Sequence, residues 1–549
     1  MTDWRKQTLG QVLARAAEDA PQQEALVISG KRMTYGALWR EAQRVARGLK
    51  ALGIKRGDHV AVCMGNSVEW VACYYGAALL GAVTVPVNTR FKPDELKYCL
   101  KQSDSVLLIT ADRFLKIDFI DMLRSICPGI DRVLPDPELP LLRTVVVLGD
   151  DVPAAAMSYQ SMLAAPGAPA FDPAQEAVTP DDIFLMQYTS GSTSFPKGVM
   201  LTHDSMLRDA HCVAARFDVR AGDRYFSARP FYHVAGTTLS LLAALSKRAC
   251  LLSTPNFDPG QSLRIMSEEK CTLTSGNETM FLMMMQHPDF DQYPLCLRGG
   301  WCSGGPGTIK RAVERLGMQF VCTAYGLSEA SPNVWMNWWH DPLEMRLTGL
   351  GDPHPGLEVR IVDMATGADQ PPDTPGEIRV RGWSVMQGYY NMPEQTRKTI
   401  DADGWLHTGD LGTTDGKGRY RFVGRAKEML RVGGENVTPG DVEDVMHQHP
   451  AIKQSQVIGV PDARLQEVAA AYVVLNEGAS ATPQEIIDWC KPRMANFKVP
   501  RYVRIIDTFE TIGMTGSSKV QKNKVRAQAL IDFGLEALEA EQQAAMQRT

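Results

Sequence analysis

The residues with the densest chemical potential lie in one stretch, Tyr188-Thr-Ser-Gly-Ser-Thr-Ser-Phe-Pro-Lys-Gly198. Thr189, Ser190, Gly191, Ser192, Thr193 and Ser194 can present backbone N–H groups and hydroxyls to a polyanion, and Gly191 lets the backbone come close. Lys197 can supply a positive charge to a phosphate, and Pro196 stiffens the exit. The pattern points to a loop that holds a nucleoside triphosphate; the bland alternative is a polar surface turn with an exposed lysine. Lys197 is followed by Gly198, not by the Ser or Thr of a Walker A loop, so this is a different kind of phosphate loop. The apolar run Ile183-Phe-Leu-Met-Gln187 leads into it and reads as a buried strand.

The chain that must position this loop has 549 residues, too many for one compact core, so several domains are expected. Apolar and charged fractions of 44% and 22% are those of a soluble globular protein. A net charge of −5 without any basic block argues against nucleic acid as the main partner. Eleven scattered cysteines without a C-x-x-C pair suit a reducing cytoplasmic setting and argue against a disulfide framework or zinc cluster. The opening Met-Thr-Asp-Trp-Arg-Lys leads into an amphipathic segment, not the apolar core of a signal peptide. The charge-free run Trp70–Val87 has spanning length. Gly76, Gly81 and Pro86 interrupt it, so a buried helix, a turn and a buried strand are expected there, with no transmembrane segment.

Helices and apolar strands alternate through the first part. Thr34 is placed to cap a helix that buries Leu38, Ala42, Val45, Ala46 and Leu49. Strands are expected at His59–Met64, Ala82–Val87 and Ser105–Thr110, with a further helix from Pro93. This alternation predicts an α/β fold with mainly parallel sheets. Residues 149–180, rich in Ala, Pro and Asp, read as a surface linker. Met283-Met-Met285 reads either as core filling or as the lining of an adaptable apolar pocket. From Gly351 onward, Val359–Asp363, Gly376–Arg381 and Gly418–Val423 alternate with turn residues and predict a small antiparallel, barrel-like subdomain. The chain closes on a charged, Ala-rich helix near 521–547.

Downstream of the loop lie Tyr325-Gly-Leu-Ser-Glu329, Trp405-Leu-His-Thr-Gly-Asp410, Gly424-Arg425, Gly433-Gly-Glu-Asn436 and Thr515-Gly-Ser-Ser-Lys519. In this order and spacing the set resembles the adenylate-forming superfamily: acyl- and aryl-CoA synthetases, adenylation domains of peptide synthetases, and firefly luciferase. Met33-Thr-Tyr35, Gly81–Val87 and Phe497-Lys-Val-Pro-Arg501 extend the resemblance over nearly the whole chain. It implies a large N-terminal domain, residues 1–426, of two mainly parallel α/β subdomains plus a small β-barrel subdomain. A small mobile α+β C-terminal domain, residues 427–549, would follow, with Lys427 at the hinge. The implied chemistry is attack of a carboxylate on the ATP α-phosphate, giving acyl-AMP and pyrophosphate, followed by thioester formation with CoA. Catalysis of that kind is mainly positioning and electrostatic stabilisation.

The resemblance also assigns roles. Residues Thr189 to Lys197 would hold the β and γ phosphates. Glu329 would help bind Mg²⁺, with Ser328 near the α-phosphate where the family usually has Thr. Tyr325, followed by Gly326, would stack on adenine, and Ser303, Gly304 and Gly305 resemble the other adenine-side loop. Asp410 would take the ribose hydroxyls and Arg425 ribose or phosphate. Lys519 would bridge the carboxylate and the α-phosphate during adenylation. Gly433 and Gly434 would leave room for pantetheine, and His233 matches the gate between acyl pocket and thiol channel. The acyl pocket would draw on His233, Gly236, Gly276, Met280 and Val334. No lysine or arginine stands out to pair with a second carboxylate, so an apolar monocarboxylic acid is expected: fatty, alicyclic or aryl.

Ser194 and Ser518 stand where the family usually has glycine, and Pro461–Glu467 lacks the glycine usual before its final Glu. A non-glycine residue held at φ > 0 costs about 1 kcal/mol, so slower loops are expected rather than a dead enzyme. Two alternatives share the fold: an acyl-AMP ligase that loads a carrier protein, and a non-catalytic nucleotide-binding protein. A monomer or homodimer is expected.

Overall fold

A computed structural model describes residues 6–165, 171–189, 196–433, 435–514 and 520–546. Two seven-stranded sheets carry the N-terminal part. The first orders its strands Phe320–Cys322, Gly299–Ser303, Leu273–Asn277, Arg224–Phe226, Cys250–Ser253, Glu24–Ile28 and Lys31–Thr34. All pairs in it are parallel except the last hairpin. The second runs Lys197–Thr202, Ile183–Thr189, Val83–Pro86, His59–Cys63, Leu107–Ala111, Thr144–Leu148 and Met157–Ser158. It is likewise parallel except for one antiparallel hairpin, Ile183–Thr189 with Lys197–Thr202.

The helix Val68–Leu80 explains the charge-free run. It is apolar all round, twelve of its thirteen residues are buried, and it shares one core with residues of both sheets. Gly81 ends it in the left-handed conformation, at φ +68°, and Val83–Pro86 continues as a central strand. No helix among the described residues is long and apolar enough to cross a membrane. Thr34 caps the helix Tyr35–Ala51 by accepting from Ala37 N at 3.2 Å.

The stretch 149–180 is not simply a linker. Met157–Ser158 adds a strand to the second sheet, and the helix Tyr159–Ala164 buries Tyr159, Met162 and Leu163. Its few apolar residues were masked in the sequence by flanking Ala and Pro. The C-terminal helix is also two, Lys522–Asp532 and Glu536–Met546, broken at Gly534 with φ +66°.

The expected antiparallel part is a four-stranded meander of Leu357–Val362, Gly376–Gly382, Leu406–Thr414 and Tyr420–Arg425. The last unit has its own core and a mixed five-stranded sheet: Glu435–Val437, Leu430–Val432, Gln466–Leu475, Ile452–Asp462 and Tyr502–Ile505. Among the described residues all eleven cysteines are free, and ten are buried.

His203 gives the core a pH signature. It opens the helix His203–Arg216, stacks on Phe184 with centroids 4.8 Å apart, and accepts from Leu9 N at 3.3 Å. Burial pushes its imidazole down from 6.5 to about 3. Below pH 6.5 the unfolded chain therefore binds a proton that the fold refuses. Stability falls as pH drops towards 3, by about 1.4 kcal/mol per unit from this group. In urea titrations at pH 7, 6 and 5, His203→Asn should flatten the acid side of the profile.

Candidate active site

The site is assembled where the hairpin, the Tyr325–Glu329 segment and the antiparallel meander meet. Thr189 and Lys197 are the last and first paired residues of the hairpin, directly opposite each other. Ser190, Gly191, Ser192, Thr193 and Ser194 lie between them, outside the described residues. The Thr189 hydroxyl is buried and has no partner among the described residues, which suits a group awaiting a ligand oxygen. Tyr98 Oη donates to Pro196 O at 3.1 Å and braces the loop exit.

Lys197 is half-buried and forms no ion pair among the described residues. Its ammonium lies over the Tyr389 ring, 4.2 Å from the centroid. Burial pushes it below the ordinary lysine range, Glu329 pulls it back up and Lys427 pushes it down. A desolvated cation without a counter-ion is costly, and a phosphate would relieve that cost. Glu329 sits in the single 3₁₀ turn Ser328–Ala330. Its Oε1 accepts from Tyr389 Oη at 2.8 Å.

Four residues before Glu329, Tyr325 is buried in a short strand, Ala324–Gly326. Tyr325 Oη donates to Asp410 Oδ2 at 2.9 Å. Asp410 and Arg425 are register partners in the meander, with Arg425 Nε 3.7 Å from Asp410 Oδ1. Phe422, two residues from Gly424, lies parallel to the Tyr325 ring at 5.4 Å and is 43% exposed. Tyr325 also packs on Trp335 at 4.3 Å and is itself buried, so the exposed apolar face beside the carboxylate is that of Phe422.

The turn Ser303-Gly304-Gly305 joins the strand Gly299–Ser303 to the helix Pro306–Arg315. Glu278 anchors it, accepting from Thr308 Oγ1 at 2.6 Å and Gly305 N at 3.3 Å. The C-terminal unit touches this turn: a Cβ on Gly305 would lie 2.5 Å from Asp444 Oδ1.

His233 caps the one-turn helix Val234–Gly236, its Nδ1 accepting from Ala235 N at 3.1 Å. In a neutral ring the proton is then on Nε2. A π-helical stretch, Thr237–Leu242, follows at once; such bulges often mark functional sites. A Cβ on Gly236 would lie 2.1 Å from Pro230 O, so only glycine lets the chain fold back there. Met280 and Val334 are buried.

Gly276 does not provide depth at its own position. A Cβ there would meet the Phe281 ring at 3.0 Å and Met280 at 3.3 Å, so neighbouring side chains use the space. Met284 and Met285 belong to the core, which favours the filling role over pocket lining. Gly433 has φ +58° on the turn between Leu430–Val432 and Glu435–Val437, where a left-handed backbone favours glycine. Gly434, Ser518 and Lys519 lie outside the described residues.

Two functional candidates escaped the sequence reading. Tyr389 links Lys197 to Glu329, yet belongs to neither motif. Arg229 lies beyond the carboxyl end of the strand Arg224–Phe226, where parallel sheets present ligand sites. Its guanidinium stacks on Trp301 at 4.2 Å and reaches Ser303 Oγ at 3.4 Å. No described carboxylate pairs with it, and burial pushes it down to about 10. The only advance signal was a cation four residues before His233.

Comparison with known proteins places these features. Residues 13–390 match the AMP-binding enzyme family, and residues 441–519 match the AMP-binding enzyme C-terminal domain. YngI of Bacillus subtilis (strain 168), assigned as an acyl-CoA synthetase, is 38% identical over 541 residues, covering 96% of this chain and 98% of its own. The bovine mitochondrial medium-chain acyl-CoA ligase ACSF2 is 32% identical over 548 residues, covering 95% and 87%. The crystal structure of the anthranilate CoA ligase AuaEII with anthranoyl-AMP superposes with a TM-score of 0.86 at 26% identity, covering 96% and 98%. These likenesses show the family: the chain belongs to the AMP-binding enzyme family, among its ATP-dependent acyl-CoA ligases.

Proposed function

We propose that this ligase activates an apolar monocarboxylic acid, of fatty, alicyclic or aryl type, and passes the acyl group to CoA. The supporting observation is the segment Tyr325–Glu329. Its first residue bonds the ribose-side carboxylate Asp410, and its last is joined through Tyr389 to the phosphate-side cation Lys197. One short segment thus spans the two ends of a single bound ATP.

In the first half-reaction the substrate carboxylate attacks the α-phosphorus. The bond to the β-phosphate oxygen breaks and pyrophosphate leaves. Thr189, the Ser190–Ser194 segment and Lys197 hold the departing phosphates. Tyr325, Gly326, Asp410, Arg425 and the Ser303–Gly305 turn orient the nucleoside, and Ser328 faces the α-phosphate. Mg²⁺, when bound, neutralises phosphate charge as a hard, oxygen-seeking cation. Glu329 fits that ion: its Oε2 accepts no hydrogen bond from any described residue. Lys519 places a mobile cation between carboxylate and α-phosphate. In the second half-reaction the CoA sulfur, giving up its proton to solvent, attacks the acyl carbonyl carbon, and the bond from that carbon to the AMP oxygen breaks with AMP keeping the electron pair. Rotation about Lys427, between residues 1–426 and 427–549, exchanges Lys519 for the Gly433–Gly434 face. His233 gates the passage between acyl pocket and thiol. The pocket draws on Gly236, Met280 and Val334, with Gly276 making room for Phe281. The expected setting is cytoplasmic, as a monomer or homodimer.

Arg229 favours a second reading of the substrate, an acid carrying a further oxygen-bearing group at its distal end. A panel of monoacids and matched ω-carboxy and ω-oxo acids, each offered with CoA, decides between them. Preference for the plain monoacids supports the apolar reading. Preference for the oxygenated acids, removed by Arg229→Leu, supports the second. Offering a carrier protein in place of CoA tests the acceptor: thioester formed only on the carrier would overturn CoA ligation as the second step.

A further inference from the structure

The segment Met386–Tyr390 is stitched to both halves of the phosphate site. Gln387 N donates to Met200 O at 3.0 Å, Met200 N to Gly388 O at 3.1 Å, and Tyr390 N to Gly198 O at 2.8 Å. These bonds tie it to the strand that Lys197 opens. Met386 N donates to Glu329 O at 2.9 Å, tying it to the metal-side turn. Tyr389 therefore sits on a backbone fixed at both ends, with its amide donating to Thr396 Oγ1 at 2.9 Å and the residue as a whole only 4% exposed.

Its ring and its hydroxyl do different things. The ring face carries the Lys197 ammonium, and the hydroxyl holds Glu329 Oε1. Lys197 and Glu329 attract each other through a partly desolvated space, and a direct ion pair between them is the obvious competitor to ligand binding. Among the described residues no such pair forms; the Tyr389 ring contacts the ammonium and its hydroxyl contacts the carboxylate. A π-face is a weaker partner for an ammonium than a carboxylate, so it stabilises the cation yet releases it to a phosphate.

We propose that Tyr389 is a positioning residue that keeps Lys197 and Glu329 apart, presenting the cation to the ATP phosphates and the carboxylate to Mg²⁺. The idea rests on the roles given above to Lys197 and Glu329. It adds a residue that touches neither reacting atom but sets the geometry of both groups. The hydroxyl orients the carboxylate, and the ring blocks collapse of the site into an internal salt bridge.

The test separates ring from hydroxyl in the full-length enzyme. ATP binding is measured by calorimetry with excess Mg²⁺ and with EDTA, and the Mg²⁺ dependence of pyrophosphate exchange is followed in parallel. Tyr389→Phe keeps the ring and its volume. It should raise the Mg²⁺ concentration for half-maximal exchange about tenfold, while the Kd for ATP in EDTA stays within about twofold. Tyr389→Leu should in addition weaken ATP binding in EDTA, about fivefold or more, because Lys197 then pairs with Glu329. In a Glu329→Gln background, Tyr389→Phe should change nothing further.

An unchanged Mg²⁺ dependence in Tyr389→Phe, with Glu329→Gln shifting it strongly, would overturn the positioning role alone. If Glu329→Gln and Lys197→Ala also leave Mg²⁺ and ATP binding unaltered, the assigned roles fail and the proposal falls with them. Tyr389→Phe removes one buried oxygen without changing shape, so loss of folding does not obscure the reading; a matching melting temperature confirms this.

Discussion

Lys519→Ala should slow acyl-AMP formation by about 10²- to 10³-fold, the scale of removing one preorganised charge from a developing anionic centre. Thioester formation from supplied acyl-AMP should stay within about threefold of wild type. The asymmetry has a physical cause. In the first half-reaction an anionic carboxylate must approach an anionic α-phosphate, and a cation between them offsets the repulsion. Lys197, proposed above to hold the leaving phosphates, rests on Tyr389 and is not the cation expected there. In the second half-reaction the incoming group is a thiol and the leaving group is AMP, so the bridging charge is no longer required. Assaying pyrophosphate exchange and acyl-AMP thiolysis separately reads both rates. Equal loss in both would contradict a lysine that acts in one conformation only.

Lys427→Pro should do the reverse. Proline fixes φ and restricts the residue before it, so the swing that brings Gly433 and Gly434 to the site should be impeded. Thioester formation should fall about tenfold or more while exchange is retained. Lys427 lies in the turn Ala426–Glu428, between the end of the meander at Arg425 and the first strand of the C-terminal unit at Leu430. An unchanged thiolysis rate in this variant, measured by stopped flow from acyl-AMP and CoA, would remove the hinge from Lys427.

Much of this was legible in the sequence because the fold announces itself locally. Thr34 and the apolar spacing behind it gave a capped amphipathic helix, and the interrupted run at Trp70 gave a buried helix and strand. The candidate site residues named from the sequence came through resemblance to a family whose motifs are contiguous. Tyr389 was not among them, because its meaning depends on Lys197 and Glu329, which only the folded chain brings to it. Arg229 was hidden for the same reason: a lone arginine reads as a surface charge until Trp301 is found beneath it and no acid beside it. The helix Tyr159–Ala164 was missed because a single buried turn or two leaves too short a period to detect against alanine and proline. At Gly276 the sequence offers only an absent side chain. A missing side chain suggests space, but only the packing shows that Phe281 takes it up.

The most direct test of the site is incorporation of labelled pyrophosphate into ATP, with each acid of the panel and without CoA. An acid that is a substrate should drive exchange in the wild-type enzyme and about tenfold or more slowly in Lys197→Ala or Glu329→Gln at the same Mg²⁺ concentration, and adding CoA should convert the same acid to thioester with one AMP per acyl-CoA. Absence of acid-dependent exchange across the whole panel, or exchange equally strong in both variants, would contradict adenylation at this site.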